Sequence, residues 1–403
     1  MKRLLYLGLF FALQAFGVEK HSIPSLDGKQ PLDGYWFAAL APGPRPAVIS
    51  LHGCGGLLDA KGGLSRNRYR VAEYLNVEGM HMLALDSFTT RGIKSICETA
   101  TRLRTFDHEE RRADVYAAIR WLSQRPDVDR GRIAVVGYSN GGTTVLSVVD
   151  RTDELVRAQP LHPRAAVAFY PGCIRFNEMW NYEIVAPLLL MIGALDEWTA
   201  PVHCQRLQGK VRRAQKDALF EYLEFPGAHH GFDGYGPLQA RTGLPTRTGT
   251  ATVGGNPEAR DKALRRMFEF LSETMGTPLS LSHEARFHGH RYAVPPASGF
   301  GAASDVAAVP LSETGRERYQ YYLKQGAPKA FAITEKRGWF LRSDDSEAMA
   351  VVLQRCQRAK VRCWLYAVDD RVVWSPQAEA RTDAGKLRRV APPTGALSAA
   401  GIN

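Results

Sequence analysis

No heptad run and no fixed-period repeat occurs in the 403 residues, which excludes coiled-coil, collagen-like and solenoid architectures. No block of five like charges is present, and with 45% hydrophobic and 23% charged residues the composition is that of a globular protein, not a disordered one. Past the N-terminus no segment reaches about eighteen consecutive apolar residues, the length a membrane span requires. Nucleic-acid-binding motifs are missing. His283, His288 and His290 fall in a stretch that reads as flexible polar chain, so no metal site is expected. A soluble folded protein remains, long enough for two or three domains.

The charge balance is basic, with 52 Lys and Arg against 41 Asp and Glu, a net +11. Residues 281–403 hold 18 basic and 12 acidic side chains, about half of that excess. Two readings stand: weak attraction to anionic envelope polymers, or an ordinary solvated basic surface. At the N-terminus, Lys2 and Arg3 precede an apolar run from Leu4 to Phe16, and Ala15-Phe16-Gly17 puts small residues at positions minus three and minus one of a cleavage site. This pattern predicts a secretory signal peptide over 1–17 and a periplasmic or secreted mature protein. In an oxidising compartment the six cysteines (54, 97, 173, 204, 356 and 363) can pair, with 15 connectivities open.

From Tyr35 to Met275 short apolar runs alternate with helical patterns, the mark of a parallel sheet with crossover helices. The runs are Ala47–Leu51, Met82–Leu85, Ile133–Val136, Ala165–Phe169, Leu188–Ile192 and Phe220–Phe225. Val115, Ala118, Ile119 and Leu122 share one helix face, as do Leu264, Met267, Phe268 and Leu271. Residues 276–312 lose periodicity and read as a linker. Beyond them a small α+β domain is expected over 313–403, with strands at Ala330–Thr334 and Trp364–Val368. A helix lies between, carrying Met349, Val352, Leu353 and Cys356 on one face and starting near Asp344 and Glu347. A Cys356–Cys363 disulfide would staple so small a core. Trp339, Phe340, Trp364, Tyr366 and Trp374 read either as that core or as a glycan-binding face.

The strongest local signal is Gly137-Tyr138-Ser139-Asn140-Gly141, placed where a buried strand ends and a helix begins. A nucleophile on a sharp strand-to-helix turn needs small residues two before and two after it, because neighbouring chain crowds the strained backbone. Its partners should follow in the order acid, then histidine, after later strands. Asp196 follows the run Leu188–Ile192 and His230 follows Phe220–Phe225, with Glu197 and His229 as fallbacks. Ser139 would then form an acyl-enzyme, His230 would carry the proton and Asp196 would orient the imidazole. The oxyanion would be held by the Asn140 amide and by one from Leu51-His52-Gly53-Cys54-Gly55-Gly56, assigned to Cys54 with Gly55 as alternative. Cys54 as nucleophile ranks low for want of an elbow, and His52 is expected to hold the loop. Tyr138 is a further candidate for the substrate pocket.

With these segments, and with Asp86-Ser87-Phe88, Arg91-Gly92, Tyr170-Pro171-Gly172-Cys173 and Gly227-Ala228-His229-His230-Gly231-Phe232, the chain resembles the dienelactone hydrolase family over roughly residues 30–275. The resemblance implies an α/β-hydrolase fold over 18–275, a mostly parallel sheet flanked by helices, and favours His230 over His229. The family's founding type uses a cysteine nucleophile, whereas this chain has Ser139, which points to a more general serine esterase. Arg91 lies where lactone-cleaving members hold a substrate carboxylate; it could equally pair with Asp86 and brace its loop. Cys97 and Cys173 should both lie at the carboxyl edge of the sheet, where a disulfide would shape the pocket rim, leaving Cys54 and Cys204 paired or free.

The expected activity is hydrolysis of a small-molecule ester or lactone without a cofactor. Peptidase or polysaccharide deacylase chemistry on the same fold is the alternative within enzymes. From a different class comes a non-catalytic envelope-binding protein acting through its terminal module.

Overall fold

The computed structural model describes residues 18–39, 43–279, 294–343 and 348–379. The expected signal peptide, the three linker histidines, Asp344 with Glu347 and the basic tail lie outside these residues. The chain forms two compact units divided between Pro278 and Leu279.

The first unit is built on an eight-stranded sheet of order β1-β2-β4-β3-β5-β6-β7-β8. Its strands are β1 (Glu19–Ile23), β2 (Leu32–Phe37), β3 (Arg45–Leu51), β4 (His81–Asp86), β5 (Val128–Tyr138), β6 (Ala165–Phe169), β7 (Leu188–Gly193) and β8 (Phe220–Phe225). β1 and β2 pair antiparallel, and β2 is antiparallel to β4; from β4 onward every pairing is parallel. Central strands are apolar along their whole length because helices cover both faces: β4, β6 and β7 are buried at every residue. All six apolar runs fall inside strands, so the α/β-hydrolase fold is present. β1 and β2 escape a run-based reading because their outer residues are exposed or half-buried.

The helices include α1 (Arg66–Val77), α2 (His108–Ser123), α3 (Asn140–Val148), α4 (Glu154–Arg157), α5 (Ile174–Glu178), α6 (Pro201–Ala214) and α7 (Pro257–Met275). Asp107 starts α2 through a reciprocal capping box with Glu110, and Asn256 caps α7. A hairpin of β9 (Gln239–Thr242) and β10 (Thr250–Val253) occupies the Gly/Thr-rich stretch after His230. Among the described residues no helix is long and apolar enough to cross a membrane.

The second unit carries an antiparallel sheet of order β12-β11-β13-β14, from β11 (Ala330–Thr334), β12 (Trp339–Arg342), β13 (Cys363–Val368) and β14 (Arg371–Val372). Helix Ala348–Arg358 buries Met349, Val352 and Cys356 against Ala330, Ala332 and Leu365. The opposite layer is aromatic: Tyr319 and Tyr322 of helix Glu313–Leu323 pack with Phe331, Trp364, Tyr366 and Trp374. Trp364, Tyr366 and Trp374 are therefore core, and Trp339 packs against them half-buried, which removes the glycan-face reading. Residues 294–312, expected as linker, supply Ala303, Val309 and Leu311 to this core. Their apolar side chains are spaced without period along turns, which hides them from a periodicity reading. Cys356 and Cys363 form the disulfide expected of them.

Candidate active site

Ser139 sits between the end of β5 and the start of α3 with φ 54° and ψ −118°, a conformation that costs a non-glycine residue about 1–3 kcal/mol. Packing enforces it. A Cβ on Gly137 would lie 2.1 Å from the Gly141 carbonyl oxygen, and one on Gly141 would lie 2.6 Å from the carbonyls of Leu51 and His52. Ser139 Oγ lies 2.9 Å from His230 Nε2, and His230 Nδ1 lies 2.8 Å from Asp196 Oδ2. Both partners are nearly fully buried. The fallbacks are elsewhere: the Glu197 carboxylate accepts the Thr252 amide of β10 at 2.9 Å, and the Ser139 hydroxyl is paired with His230 and not with His229.

Asp196 is saturated. Its Oδ1 accepts the amides of Trp198 and Thr199 at 2.9 and 2.8 Å, and Oδ2 accepts the Thr199 hydroxyl at 2.9 Å besides the imidazole. With every lone pair directed, the carboxylate has one orientation, and Nδ1 is fixed as the donor that leaves Nε2 to accept from serine. Trp198 and Tyr170 pack on the His230 ring, each with centroids 4.7 Å away. The Tyr170 backbone is itself at φ 39°, its hydroxyl hydrogen-bonded to Asp233. Burial and the adjacent Asp233 push that phenol well above its usual pKa, so it stays protonated. The sequence assigns no role at the histidine to Thr199, Trp198 or Tyr170, although Tyr170 stands in one of the family-like segments, because only the folded loops turn them toward the ring.

On the opposite side, Asn140 opens α3, so helix geometry leaves its amide without an intrahelical acceptor. The loop after β3 approaches closely enough that a Cβ on Gly53 would lie 3.5 Å from the Ser139 Cβ. Cys54 lines both cavities that reach Ser139, whereas Gly55 lines one of them. His52 holds this loop: Nδ1–H donates to the Gly53 carbonyl at 2.7 Å and Nε2 accepts the Ser87 amide at 3.3 Å. Full burial holds its pKa well below the usual histidine value, so the ring is neutral.

The profile of the dienelactone hydrolase family matches residues 32–275, more than half of the chain. The chain belongs to the dienelactone hydrolase family. Over 155 residues it is 26% identical to a Bradyrhizobium sp protein named "Probable 2-oxo-3-(5-oxofuran-2-ylidene)propanoate lactonase", covering 35% of this chain and 58% of that one. It is also similar to two solved structures. A dienelactone hydrolase-like promiscuous phosphotriesterase from metagenomic libraries is 21% identical, covering 64% of this chain and 99% of the other with a TM-score of 0.49. Propionate-bound esterase 2 of Thermogutta terrifontis is 19% identical, with coverages of 64% and 94% and a TM-score of 0.45.

In this member of the dienelactone hydrolase family two cavities, of about 200 and 320 Å³, meet at Ser139. The smaller is lined by Arg104, His108, Thr143, Arg175 and His203 among others. The larger takes Arg68, Tyr138, Tyr170, Arg241 and Val253, so the β9–β10 hairpin forms part of its wall. Arg241 is held there by Glu98 at 2.6 Å. Tyr138, an expected pocket residue, is buried, stacked on Phe169 with the Arg68 guanidinium 4.2 Å above its ring.

Two expectations are corrected. Arg91 lines neither cavity and does not pair with Asp86; its guanidinium forks onto both oxygens of buried Asp114 at 3.0 and 2.8 Å and onto the Ser87 carbonyl at 2.7 Å. Asp86 instead accepts the amides of Phe88 and Thr89 and the Thr89 hydroxyl, capping its own turn. Arg91 is thus a brace with a different partner, and Arg68 and Arg241 are the cations beside the larger cavity. The disulfides join Cys54 to Cys97 and Cys173 to Cys204, with no Cys97–Cys173 bond. The loop after β4 folds back on the Cys54 turn, where Ile96 N–H reaches the Cys54 carbonyl at 2.9 Å. Cys173 instead opens α5, which packs beside α6 and its Cys204. Among the described residues no group of three or more metal-binding side chains occurs.

Proposed function

We propose that this protein is an exported serine hydrolase that cleaves carboxylic esters or lactones through an acyl-enzyme. The observation that carries the reading is the hydrogen-bonded line Ser139–His230–Asp196 with the serine on a strained turn at the meeting point of two cavities. His230 Nε2 takes the hydroxyl proton as Ser139 Oγ bonds to the carbonyl carbon. The Asn140 and Cys54 amides receive the negative oxygen, and the Asp196 carboxylate stabilises the imidazolium. Collapse breaks the carbonyl–oxygen ester bond, and His230 returns the proton to the leaving alkoxide, which in a lactone stays attached to the acyl chain. Water activated by His230 then releases the acid.

The chain spans 58% of the length of its curated Bradyrhizobium relative, whose name places lactones among the substrates to be tried. Arg68 and Arg241 beside the larger cavity fit an ester that carries a carboxylate. Export is supported by three disulfides that engage all six cysteines. Weak attachment to anionic envelope polymers is proposed from the basic excess of residues 281–403.

A fluorophosphonate probe should form an adduct that maps to Ser139, absent from Ser139→Ala and His230→Ala. Folded protein left unlabelled would contradict the reading.

A further inference from the structure

Behind the two oxyanion donors lies a guanidinium with no exposure to solvent. Arg111 of α2 has a relative exposure of 0%, and its Nη1 donates to the Asn140 side-chain oxygen at 2.5 Å while Nη2 donates to the His52 carbonyl at 2.9 Å. The Asn140 side-chain nitrogen, Nδ2, donates in turn to Asp107, the cap of the same helix, and leaves the backbone N–H out of this network. His52 fixes Gly53, the residue before Cys54. A single rigid fork therefore bridges the residue that supplies one donor and the loop that supplies the other. Burying a guanidinium is expensive. Burial pulls Arg111 down to about 10, and Asp114, Asp107 and Asp86 favour its charged form, so it remains cationic at neutral pH. Helix packing alone does not require such a group, since Val115, Ala118, Ile119 and Leu122 already bury the apolar face of α2.

We propose that Arg111 is a positioning residue for transition-state stabilisation: it sets the spacing of the Asn140 and Cys54 amides and places a buried positive charge behind the oxyanion. This inference rests on the serine-hydrolase reading. Substrate binding in the ground state makes little demand on that spacing, whereas the tetrahedral oxyanion does. A lysine keeps the charge but cannot span two acceptors with a planar fork.

The test uses the full-length mature protein and Arg111→Met, Arg111→Lys and Asn140→Ala, the last keeping the backbone amide. Three readouts are taken: kcat and KM on an aryl ester, affinity for an aryl trifluoromethyl ketone, and the thermal midpoint. The ketone adds Ser139 Oγ to its carbonyl carbon, passes the serine proton to His230 and leaves an oxyanion, so it reports the site directly. For Arg111→Met the expected result is a fall in kcat of about 100-fold with KM within about twofold, and a loss of ketone affinity matching the loss of kcat/KM. Arg111→Lys and Asn140→Ala should fall in the same direction by about 10-fold. Folded variants that keep kcat and ketone affinity while losing only thermal midpoint would overturn the inference, leaving Arg111 a structural staple. Should Arg111→Met fail to fold, Asn140→Ala and Arg111→Lys carry the same expected and contradicting results. A wild-type protein that takes no probe at Ser139 would instead overturn the serine-hydrolase reading itself.

Discussion

The two units bury different things. In the first, one group of buried polar side chains gathers at the carboxyl ends of the parallel strands: Asp86 closes β4, and His52, Ser87, Asn140, Asp196 and His230 follow β3, β4, β5, β7 and β8, with Asp107, Arg111 and Asp114 on the cap and body of α2; others, such as Asn76, Glu78 and His81, lie elsewhere. In the described part of the second unit the buried polar side chains are Lys329 and Thr334. Both satisfy nearby backbone, Lys329 at the carbonyls of Leu323 and Gln325 and Thr334 at the Gly338 amide. Buried polarity is costly, so a cluster of it at the carboxyl ends of the strands makes that end the candidate site. The second unit spends its interior on aromatic and aliphatic packing.

The largest difference between the units is expected at Ser139. Ser139→Ala or His230→Ala should lower esterase kcat by about 10⁴-fold or more, with little change in the thermal midpoint of either unit, read by ester turnover and calorimetry. No change in activity would remove the distinction between the units. Next in size is Gly137→Ala, whose Cβ would meet backbone at 2.1 Å. It should destabilise the first unit by about 4 kcal/mol or more, or prevent its folding, as read by urea unfolding.

The disulfides sharpen the comparison. Losing Cys54–Cys97 through Cys97→Ser should lower kcat about 10-fold by loosening the Cys54 amide, beyond any loss of stability. Losing Cys356–Cys363, which closes a short loop, should cost the second unit about 2.5 kcal/mol and leave kcat unchanged. Equal kinetic effects from the two would blunt the contrast.

The smallest effect is on pH. Burial holds His52, His81 and His108 below the ordinary histidine value in the folded first unit, whereas unfolded they titrate near 6.5. Because the unfolded chain then binds protons the native state refuses, their contribution is fully present above about pH 6.5 and is lost progressively as pH falls below it. The described second unit contains no histidine. Hydrogen exchange should therefore show the first unit opening more readily at pH 5 than at pH 7, with a weaker response in the second.

How much was legible follows from where each signal lives. The parallel strands announce themselves because strands covered on both faces are apolar throughout, and Gly137, Ser139, Asp196 and His230 stand next to strand ends that could be located. β1, β2 and the β9–β10 hairpin did not stand out, being half-exposed or turn-rich. Pairings between distant loops were the least readable: Cys97 had five other cysteines to choose from, and Arg91 faced Asp86 in sequence but Asp114 in space. Arg111 lay in a run of charged residues, His108-Glu109-Glu110-Arg111-Arg112, that reads as a solvated helix face. Only the fold shows that one of the two arginines turns inward.

The most direct test of the central claim is to trap the intermediate. Wild-type protein turning over an activated aryl ester is quenched in acid, its intact mass is measured and the modified peptide is sequenced. The expected result is a mass increase equal to one acyl group, located on Ser139 and absent from Ser139→Ala. Turnover that persists in Ser139→Ala, or an acyl group found on another residue, would contradict it.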